Sequence, residues 1–355
     1  MAFRYDLEID WHLLDTCNFR CGYCFFPPER LAAKLATFAS VDEWRDAFDA
    51  LGRTCLLHLT GGEPSIYPDF VALCAALTKN HYLSINTNLT HPSLIEFTQA
   101  IDPSRIAFIN AGFHLEERER RPGHTTFLRH ADLLHAKGFP IIISLVATPS
   151  VLARYEEVAE ILRPTGLVVV PKLFRGWFAG KRYPESYTTV ELDRFTQFCV
   201  AARSAYAPLF ARNGEWPSID MLHDDERNGS VPNFTGVSCE AGRRFVALDP
   251  RGNVFRCGKD RLGNILDRTF APRLRPASCD TSYCYYFCTK YTLPNRTRAA
   301  RTVDALIGTP HRVATIMQRV LLSDRLPLRN ARRRLTLGSW RMSSISSSPT
   351  PPTRG

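Results

Sequence analysis

Short apolar runs alternate with amphipathic segments over the first 200 or so residues of this 355-residue chain. The apolar runs lie near residues 7–14, 55–60, 82–87, 105–112, 140–147 and 167–174, and they have the length of buried strands. Helical periodicity follows each run, at 41–52, 66–79, 92–101, 125–137, 151–162 and 188–203. Strict alternation of strand and helix predicts an α/β fold with a parallel sheet and crossover helices.

Three cysteines follow the first predicted strand, Cys17, Cys21 and Cys24, in the spacing C-x3-C-x2-C. A cubane [4Fe-4S] cluster has four irons, and clusters that only transfer electrons normally give each iron one cysteine thiolate. Three thiolates would leave one iron open to a small molecule. Zinc loops also use cysteine, but they more commonly come as C-x2-C pairs, so zinc is the alternative interpretation of this loop.

A second motif ends the second predicted strand. The apolar run from Cys55 stops at Gly61-Gly62-Glu63-Pro64, which predicts a turn. In parallel barrels the functional residues lie at the carboxyl ends of the strands. Both this turn and the cysteine loop are predicted to lie at those ends.

The cysteine triad and the GGEP turn together resemble the radical S-adenosylmethionine (radical SAM) superfamily, over about residues 7–180. The resemblance implies a partial (β/α)6 TIM-like barrel with a small cysteine-rich C-terminal extension. It also implies that Cys17, Cys21 and Cys24 ligate a [4Fe-4S] cluster whose open iron binds S-adenosylmethionine. Reductive cleavage of that cofactor would give a 5′-deoxyadenosyl radical, which abstracts hydrogen from a substrate.

The same resemblance assigns cofactor-binding roles to residues beside these motifs. Tyr23 is expected near the adenine, and Gly61, Gly62 and Glu63 near the methionyl ammonium, with the glycines letting backbone approach the ligand.

The ribose is expected to contact polar side chains at the ends of the third and fourth strands, namely Asn86, Asn88 and Asn110. Many relatives carry a serine where this chain has Ala111 and Gly112, which is a departure from the family pattern. Strand-end turn chemistry is the alternative interpretation of Asn86 and Asn88.

Substrate-facing candidates close the fourth and sixth strands. His114 could transfer a proton near neutral pH, and Lys172 or Arg175 could hold a carboxylate or phosphate. Each could equally be a surface or supporting residue.

A second group of cysteines, Cys239, Cys257, Cys279, Cys284 and Cys288, lies in the C-terminal third. The segment 246–257 predicts a hairpin with a turn at Asp249–Asn253. The group resembles the auxiliary-cluster extensions called SPASM or Twitch, but its five cysteines are fewer than the full SPASM set. The resemblance therefore implies one auxiliary [4Fe-4S] cluster with four ligands and a spare thiol, and structural zinc is the alternative. Cys55, Cys74 and Cys199 are expected to be small buried hydrophobic residues.

Charge is distributed unevenly along the chain. Residues 290–355 hold 13 Lys and Arg against 2 Asp and Glu, so the net charge of +10 belongs to the tail and the rest is nearly neutral. A neutral body argues against a nucleic-acid-binding face.

No apolar run approaches the length of a membrane span. Eleven cysteines in a chain without a signal-peptide profile predict metal ligation in the reducing cytoplasm rather than disulfides.

The predicted organisation has five parts: a radical SAM barrel at 1–204, a loop region at 205–236, an auxiliary-cluster domain at 237–290, a basic helical segment at 291–340 and a disordered tail at 341–355. The predicted function is hydrogen abstraction from a small organic substrate, with oxidation assisted by the auxiliary cluster and an electron donor such as flavodoxin or ferredoxin.

Two other functions compete with this hypothesis. The first is maturation of a ribosomal peptide. Only sixteen residues precede Cys17, which leaves no room for an N-terminal leader-binding domain and argues against this function. The second is a non-enzymatic zinc-binding module, against which the GGEP turn and the neutral body argue.

Overall fold

The computed structural model describes residues 3–120, 124–213, 233–257, 260–280 and 291–293, which belong to one compact unit, Met1–Asn295. Cys284, Cys288 and the predicted tail segments beyond residue 293 lie outside the described residues. No helix in the described ranges is both long and apolar enough to span a bilayer.

Fourteen strands are described: β1 Leu7–Leu14, β2 Cys55–Gly61, β3 Tyr82–Thr87, β4 Ile106–Gly112, β5 Ile141–Val146, β6 Val169–Lys172, β7 Gly176–Phe178, β8 Lys181–Tyr183, β9 Ser238–Cys239, β10 Phe245–Leu248, β11 Asn253–Phe255, β12 Arg261–Asn264, β13 Ala277–Ser278 and β14 Thr292–Leu293. The α-helices are α1 Pro28–Leu31, α2 Val41–Asp49, α3 Phe70–Leu77, α4 Ser93–Ala100, α5 Leu115–Glu119, α6 His124–Ala136, α7 Pro149–Ala153, α8 Tyr155–Leu162 and α9 Thr189–Asn213. Short 3-10 helices lie at Pro64–Ile66, Pro103–Arg105 and Arg163–Thr165.

The main sheet confirms the predicted fold class. Its strand order is β12-β11-β10-β1-β2-β3-β4-β5-β6, and β1 to β6 are parallel neighbours in chain order. Each of these six strands begins and ends close to its predicted position, and the connections carry the predicted helices. The sheet and its covering helices form a partial TIM-like barrel, which brings the carboxyl ends of β1 to β6 to one edge.

Alternating side chains on β1 face opposite sides of the sheet. Trp11 packs against Trp44 and Phe48 of α2, with ring centroids 4.6 and 5.0 Å away, so it points outward to the helices. Glu8 and Asp10 occupy the opposite face and therefore point into the barrel. The same alternation continues on β2, where His58 is paired with Asp10 in the ladder.

An apolar layer closes the amino-terminal end of the barrel interior. Leu56, Phe108, Ile142 and Val170 from four strands pack together there with Tyr206 of α9. Because this layer is buried, the interior opens at the carboxyl edge of the strands, where the cysteine loop lies.

Helix α9 corrects one sequence expectation. A loop was expected from residue 205, because Pro208 normally interrupts a helix, but α9 continues to Asn213 with Pro208 inside it. Tyr206 donates a hydrogen bond to the carbonyl of Val168 at 2.6 Å and packs into the barrel floor. Burial of this face offsets the backbone hydrogen bond that the proline removes.

The C-terminal strands extend the barrel sheet. Strand β10 pairs in parallel with β1, and β11 and β12 continue outward as antiparallel strands. The predicted hairpin at 246–257 is confirmed as β10 and β11. Strands β13 and β14 flank β9 in a separate small sheet.

Candidate active site

The three cysteine sulfurs share one hydrogen-bonding pattern. The backbone N–H of Phe19 donates to Cys17 Sγ at 3.3 Å, and the Phe26 N–H donates to Cys24. The Tyr23 hydroxyl contacts Cys21. Each sulfur thus receives a donor from the residue two positions further along the chain. Hydrogen bonds to sulfur stabilise the negative charge of a ligating thiolate and tune the potential of an iron–sulfur cluster.

Partial burial disfavours the thiolate form of these three cysteines when no metal is bound. Burial raises the pKa of Cys17 to about 11 and that of Cys21 to about 12, and it also raises the pKa of Cys24. Metal binding deprotonates such thiols, because the cation supplies the charge that the surroundings lack. Ligands of a cubane bind different irons, so three thiols on one loop, each with a hydrogen-bond donor, fit a [4Fe-4S] cluster.

The GGEP turn holds the chain that enters the cysteine loop. Gly62 donates its N–H to the carbonyl of Leu14 at 2.7 Å, and Glu63 donates to that of Thr16 at 3.0 Å. A Cβ on Gly61 would lie 2.3 Å from the Leu14 oxygen, and one on Gly62 would lie 2.0 Å from the Thr16 oxygen. Both glycines therefore leave room for the backbone of the cysteine loop.

The Glu63 carboxylate is buried at the centre of a hydrogen-bond network. Its Oε1 accepts from the Thr87 hydroxyl at 2.6 Å, and its Oε2 accepts from the Asn88 N–H at 2.7 Å. Ser65 donates through both its backbone and its hydroxyl group. Burial raises the pKa of Glu63, and these hydrogen bonds oppose that shift. Glu63 therefore joins the ends of β2 and β3.

The asparagines predicted to contact the ribose divide into two kinds. Asn88 donates to Asn18 in the cysteine loop at 2.8 Å and accepts from Thr90, which is the turn chemistry named as the alternative. Asn110 donates to Asn86 Oδ1 at 2.8 Å across β4 and β3. The Oδ1 of Asn110 is buried and has no hydrogen-bond partner among the described residues, whereas Asn86 is exposed.

Tyr23 and His114 form a pair beside Cys21. The Tyr23 hydroxyl lies 2.6 Å from His114 Nδ1, and the two rings are stacked. Burial, with Arg118 and Lys172 nearby, lowers the pKa of His114 to about 3. Burial thus disfavours the charged form of the ring, and the imidazole is hydrogen-bonded to Tyr23.

Lys172 and Arg175 occupy different surroundings. Lys172 ends β6, and its charge acts on His114. Arg175 lies between β6 and β7, where its charge acts on Tyr187.

Arg118, on α5 next to Glu117, was missed by the sequence analysis. Arg118 is 1% exposed and donates to the carbonyls of Asn88 and Gly112 at 2.5 and 3.1 Å. Burial lowers its pKa to about 9, and the charges of Tyr23, Glu63 and Cys21 oppose that shift. Glu117 accepts from the Arg20 N–H in the cysteine loop at 3.1 Å. The position of Arg118 just after β4 could have marked it as a site residue, but the charged residues around it are typical of a solvent-exposed helix.

The described members of the second cysteine group lie around the small sheet. Cys239 is buried in β9, packs with Cys257, and accepts from the Ala241 N–H at 3.4 Å. Cys279 follows β13, and its N–H donates to the Val237 carbonyl at 2.8 Å. The pattern of a donor two residues after the sulfur thus recurs at Cys239. The other predicted buried cysteines, Cys55, Cys74 and Cys199, are confirmed as buried.

A comparison with known families matches residues 11–163 to the radical SAM superfamily. The match supports radical SAM superfamily membership. It covers the cysteine loop, the GGEP turn and the strands to β5, and it indicates an enzyme. Radical SAM enzymes use a [4Fe-4S] cluster and S-adenosylmethionine, act on small-molecule or peptide substrates, and need a reductant.

The sequence relatives of this region are partial matches. The GTP 3′,8-cyclase of Klebsiella pneumoniae subsp. pneumoniae is 42% identical over 85 residues, covering 21% of this chain and 25% of the relative. That of Edwardsiella ictaluri is 43% identical over 83 residues, with 21% and 24% covered. The chain thus spans about a quarter of the length of these curated relatives.

The fold is also similar to that of a solved structure. Histidine-tagged anSMEcpe with bound AdoMet gives a TM-score of 0.50 at 17% identity, covering 74% of this chain and 76% of that one. At this identity the similarity concerns the fold alone.

Proposed function

We propose that this protein is a radical SAM enzyme that abstracts hydrogen from a small organic substrate. The observation that carries the proposal is the cysteine loop, in which three thiols on one turn each receive a hydrogen bond and no fourth cysteine stands beside them in the sequence. The family match at residues 11–163 supports the same conclusion.

Each part of the site has a role in this proposal. Cys17, Cys21 and Cys24 hold the [4Fe-4S] cluster, which with S-adenosylmethionine supplies a 5′-deoxyadenosyl radical. Gly61, Gly62 and Glu63 fix the cysteine loop against β2, and the turn that they form meets the methionyl group.

The remaining polar groups orient the cofactor. Asn110 offers its unpartnered Oδ1 to a ribose hydroxyl, and Asn86 stands beside it. Asn88 acts indirectly, because its side chain is already bonded to Asn18 and Thr90. Tyr23 lies close enough to Cys21 to border the adenine as well. Lys172 and Arg175 remain candidates for holding an anionic group of the substrate.

The proposal includes an auxiliary [4Fe-4S] cluster in a SPASM- or Twitch-like extension. Cys239 and Cys257 pack in one cluster of side chains, and Cys239 shares the sulfur hydrogen-bond pattern of the first loop. Four of the five cysteines Cys239, Cys257, Cys279, Cys284 and Cys288 would be its ligands. After hydrogen abstraction, such a cluster would accept the second electron from the substrate radical, which would also lose a proton, so that the overall reaction would be a two-electron oxidation of the substrate.

The external reductant in this proposal is a protein such as flavodoxin or ferredoxin.

Peptide maturation is the second candidate function. It is favoured by the cysteine-rich extension, which resembles that of the SPASM maturases, and it differs only in the substrate.

The experiment that tests the proposal is 5′-deoxyadenosine formation by the anaerobically reconstituted, reduced protein with S-adenosylmethionine. The wild type is expected to form the nucleoside, and Cys21→Ala to reduce its yield to background. Cys199→Ala is the matched control: Cys199 lies on α9, buried in an apolar cluster formed by several elements, and this variant should retain the yield. Zinc without sulfide in the reconstituted protein, or cleavage by the Cys21 variant at the parent rate, would contradict the proposal.

A further inference from the structure

A buried cation lies among the described cysteines of the C-terminal region. Arg256 follows the last residue of β11 and immediately precedes Cys257, and it is only 7% exposed. Burying a charged side chain is unfavourable unless other groups replace the water that it loses. The contacts of Arg256 therefore indicate what its charge stabilises.

The guanidinium of Arg256 holds the segment that leads to Cys279. Its Nη2 donates to the Ala277 carbonyl at 3.0 Å and to the Ser278 carbonyl at 2.7 Å. Ser278 is the last residue of β13, and Cys279 follows it directly. Arg256 thus joins the end of β11, beside Cys257, to the end of β13, beside Cys279.

The aliphatic stem of Arg256 lies against the loop that follows Cys239. A Cβ on Gly242 would lie 3.3 Å from Cγ of Arg256, and the φ of 89° at this position also favours glycine. Cys239 packs with Cys257, and the pairing of β9 with β13 brings the Cys279 segment beside it. The three segments that carry these cysteines therefore meet around one arginine side chain.

The protein itself compensates the charge of Arg256 only weakly. Among the described residues, Asp260 is the only carboxylate in ion-pair range: it lies 3.7 Å from Nη1, is 48% exposed, and also pairs with Arg273. Glu240, next to the first cysteine of the group, pairs with Arg243 instead. The Nε–H of Arg256 is buried and has no hydrogen-bond partner in the described ranges. A buried cation with a spare donor indicates an anionic acceptor in the same place.

An iron–sulfur cluster bound by four thiolates is an acceptor of this kind. It carries a net negative charge, and its sulfurs accept hydrogen bonds from N–H donors. A positive charge beside such a cluster stabilises the more negative, reduced state and so raises the reduction potential. Zinc bound by four thiolates is also anionic, but zinc has no redox chemistry, so the potential distinguishes the two centres.

We propose that Arg256 is a positioning residue of the auxiliary [4Fe-4S] cluster, which holds the cysteine segments together and raises the reduction potential of the cluster. The inference rests on the proposed radical SAM function and adds the residue that makes its auxiliary cluster an electron acceptor. In the proposed oxidation, the 5′-deoxyadenosyl radical takes one hydrogen atom from the substrate. The substrate radical then releases one proton to water and passes one electron to the auxiliary cluster.

The test is a redox titration of the auxiliary cluster, followed by electron paramagnetic resonance. It uses the full, anaerobically reconstituted chain carrying Cys17→Ala, Cys21→Ala and Cys24→Ala, so that the cluster signal arises from the C-terminal cysteines alone. In this background we compare unsubstituted Arg256 with Arg256→Gln, which removes the charge, and Arg256→Lys, which keeps the charge without the planar fork. Arg251→Gln is the matched control, because Arg251 is an exposed arginine of the same hairpin.

The expected shift follows the charge. At a fixed applied potential, Arg256→Gln should lower the ratio of reduced to oxidised cluster by about tenfold, which is about 59 mV for one electron. Arg256→Lys should lower it less, and Arg251→Gln should leave it unchanged. Iron and sulfide analysis and the melting temperature show which variants assemble. If Arg256→Gln takes up no auxiliary iron, uptake by Arg256→Lys supports the role of the charge.

Several results would overturn the inference. They are an unchanged or raised potential in Arg256→Gln, an equal shift in Arg251→Gln or in Arg256→Lys, loss of auxiliary iron from both Arg256 variants, or zinc in place of the cluster when Arg256 is intact. If the wild-type chain still cleaves S-adenosylmethionine in any of these cases, the proposed radical SAM function stands and only the role of Arg256 is wrong.

Discussion

At the scale of single residues, the site depends on what surrounds each sulfur. Cys21 is distinctive because its donor is a side chain, Tyr23, which is itself held by His114 at 2.6 Å. When Cys21 is a thiolate, the Tyr23 hydroxyl donates to it and His114 Nδ1–H donates to the phenol oxygen. This neutral chain stabilises negative charge on the sulfur without adding a positive charge beside it.

Tyr23→Phe is therefore expected to lower the reduction potential of the cluster. The more negative, reduced state gains most from the hydrogen bond, so its loss disfavours reduction by on the order of tens of millivolts. An anaerobic redox titration followed by electron paramagnetic resonance measures the shift. Tyr155→Phe, whose hydroxyl bonds to the Val169 carbonyl on β6, is the control. An unchanged or raised potential for Tyr23→Phe would refute this role.

The sequence predicts some of these residues better than others. Cysteine spacing predicts the three thiols as ligands of one cluster, and the apolar neighbours of Cys74 and Cys199 identify those two residues as core. Arg118 is not predictable in the same way, because three phenylalanine rings from separate segments surround it. Its guanidinium carbon lies 4.2 Å from the centroid of the nearest ring, Phe127.

At the scale of elements, the site is organised by contact between the β2 turn and the end of β1. The β1–β2 register shifts between His12 and Leu14, so that Leu14 meets Gly61. Gly61 has a φ of 118°, in the region that favours glycine. The cysteine loop thus starts from a backbone position that the β2 turn determines.

Gly62→Ala is expected to disrupt this contact. Its Cβ would meet the Thr16 carbonyl oxygen and carbon at 2.0 and 2.4 Å, and backbone cannot move aside as a flexible side chain can. We expect a loss of about 1–3 kcal/mol in the free energy of unfolding, as for other overpacked sites, and a reduced iron content after reconstitution. Anaerobic urea unfolding and iron analysis measure both.

Gly22→Ala is the matched control in the cysteine loop itself. An added Cβ there has nothing within 4 Å, so stability and iron content should be close to those of the wild type. Equal behaviour of the two variants would show that the β2 turn does not hold the loop.

A helix end that is set by hydrogen bonds between nearby residues can be predicted from the local sequence. The Thr188–Glu191 capping box is an example: the Glu191 N–H donates to Thr188 Oγ1 at 3.2 Å, and the Thr188 N–H donates to Glu191 at 2.7 Å. The continuation of α9 past Pro208 was missed, because it depends on packing against strands that lie far earlier in the chain.

At the scale of the whole molecule, the C-terminal strands are joined to the barrel through β1. Strand β10 pairs with β1 in the register Glu8 to Phe245, and Tyr291 donates to the buried Glu8 carboxylate. Tyr291 also stacks on Phe245 at 5.5 Å. The described residues of the second cysteine group are thus linked to the polar side chains inside the barrel.

No local sequence pattern reveals this arrangement. The sequence assigned residues 237–290 to a unit of their own, since cysteine density and turns change there. Parallel pairing of β1 with a strand from the far end of the described chain depends on long-range packing, which strand propensity does not encode.

Tyr291→Phe is expected to destabilise the fold by about 1–3 kcal/mol, because it removes a donor from a buried carboxylate. Tyr5→Phe is the matched control: Tyr5 also donates to Glu8, but its side chain is half-buried, so water can replace it. Urea unfolding of both variants should give the larger loss for Tyr291→Phe. Equal losses, or a smaller loss for Tyr291→Phe, would contradict the structural role of this link.

The account as a whole requires an iron at the Cys17–Cys24 loop that no protein sulfur covers. Electron–nuclear double resonance of the reduced, reconstituted protein with S-adenosylmethionine labelled in its amine and carboxylate tests this most directly. We predict hyperfine coupling of both labels to the cluster, and loss of that coupling in Cys21→Ala. Absence of coupling in the wild type, with the cluster intact and S-adenosylmethionine bound, would contradict the account.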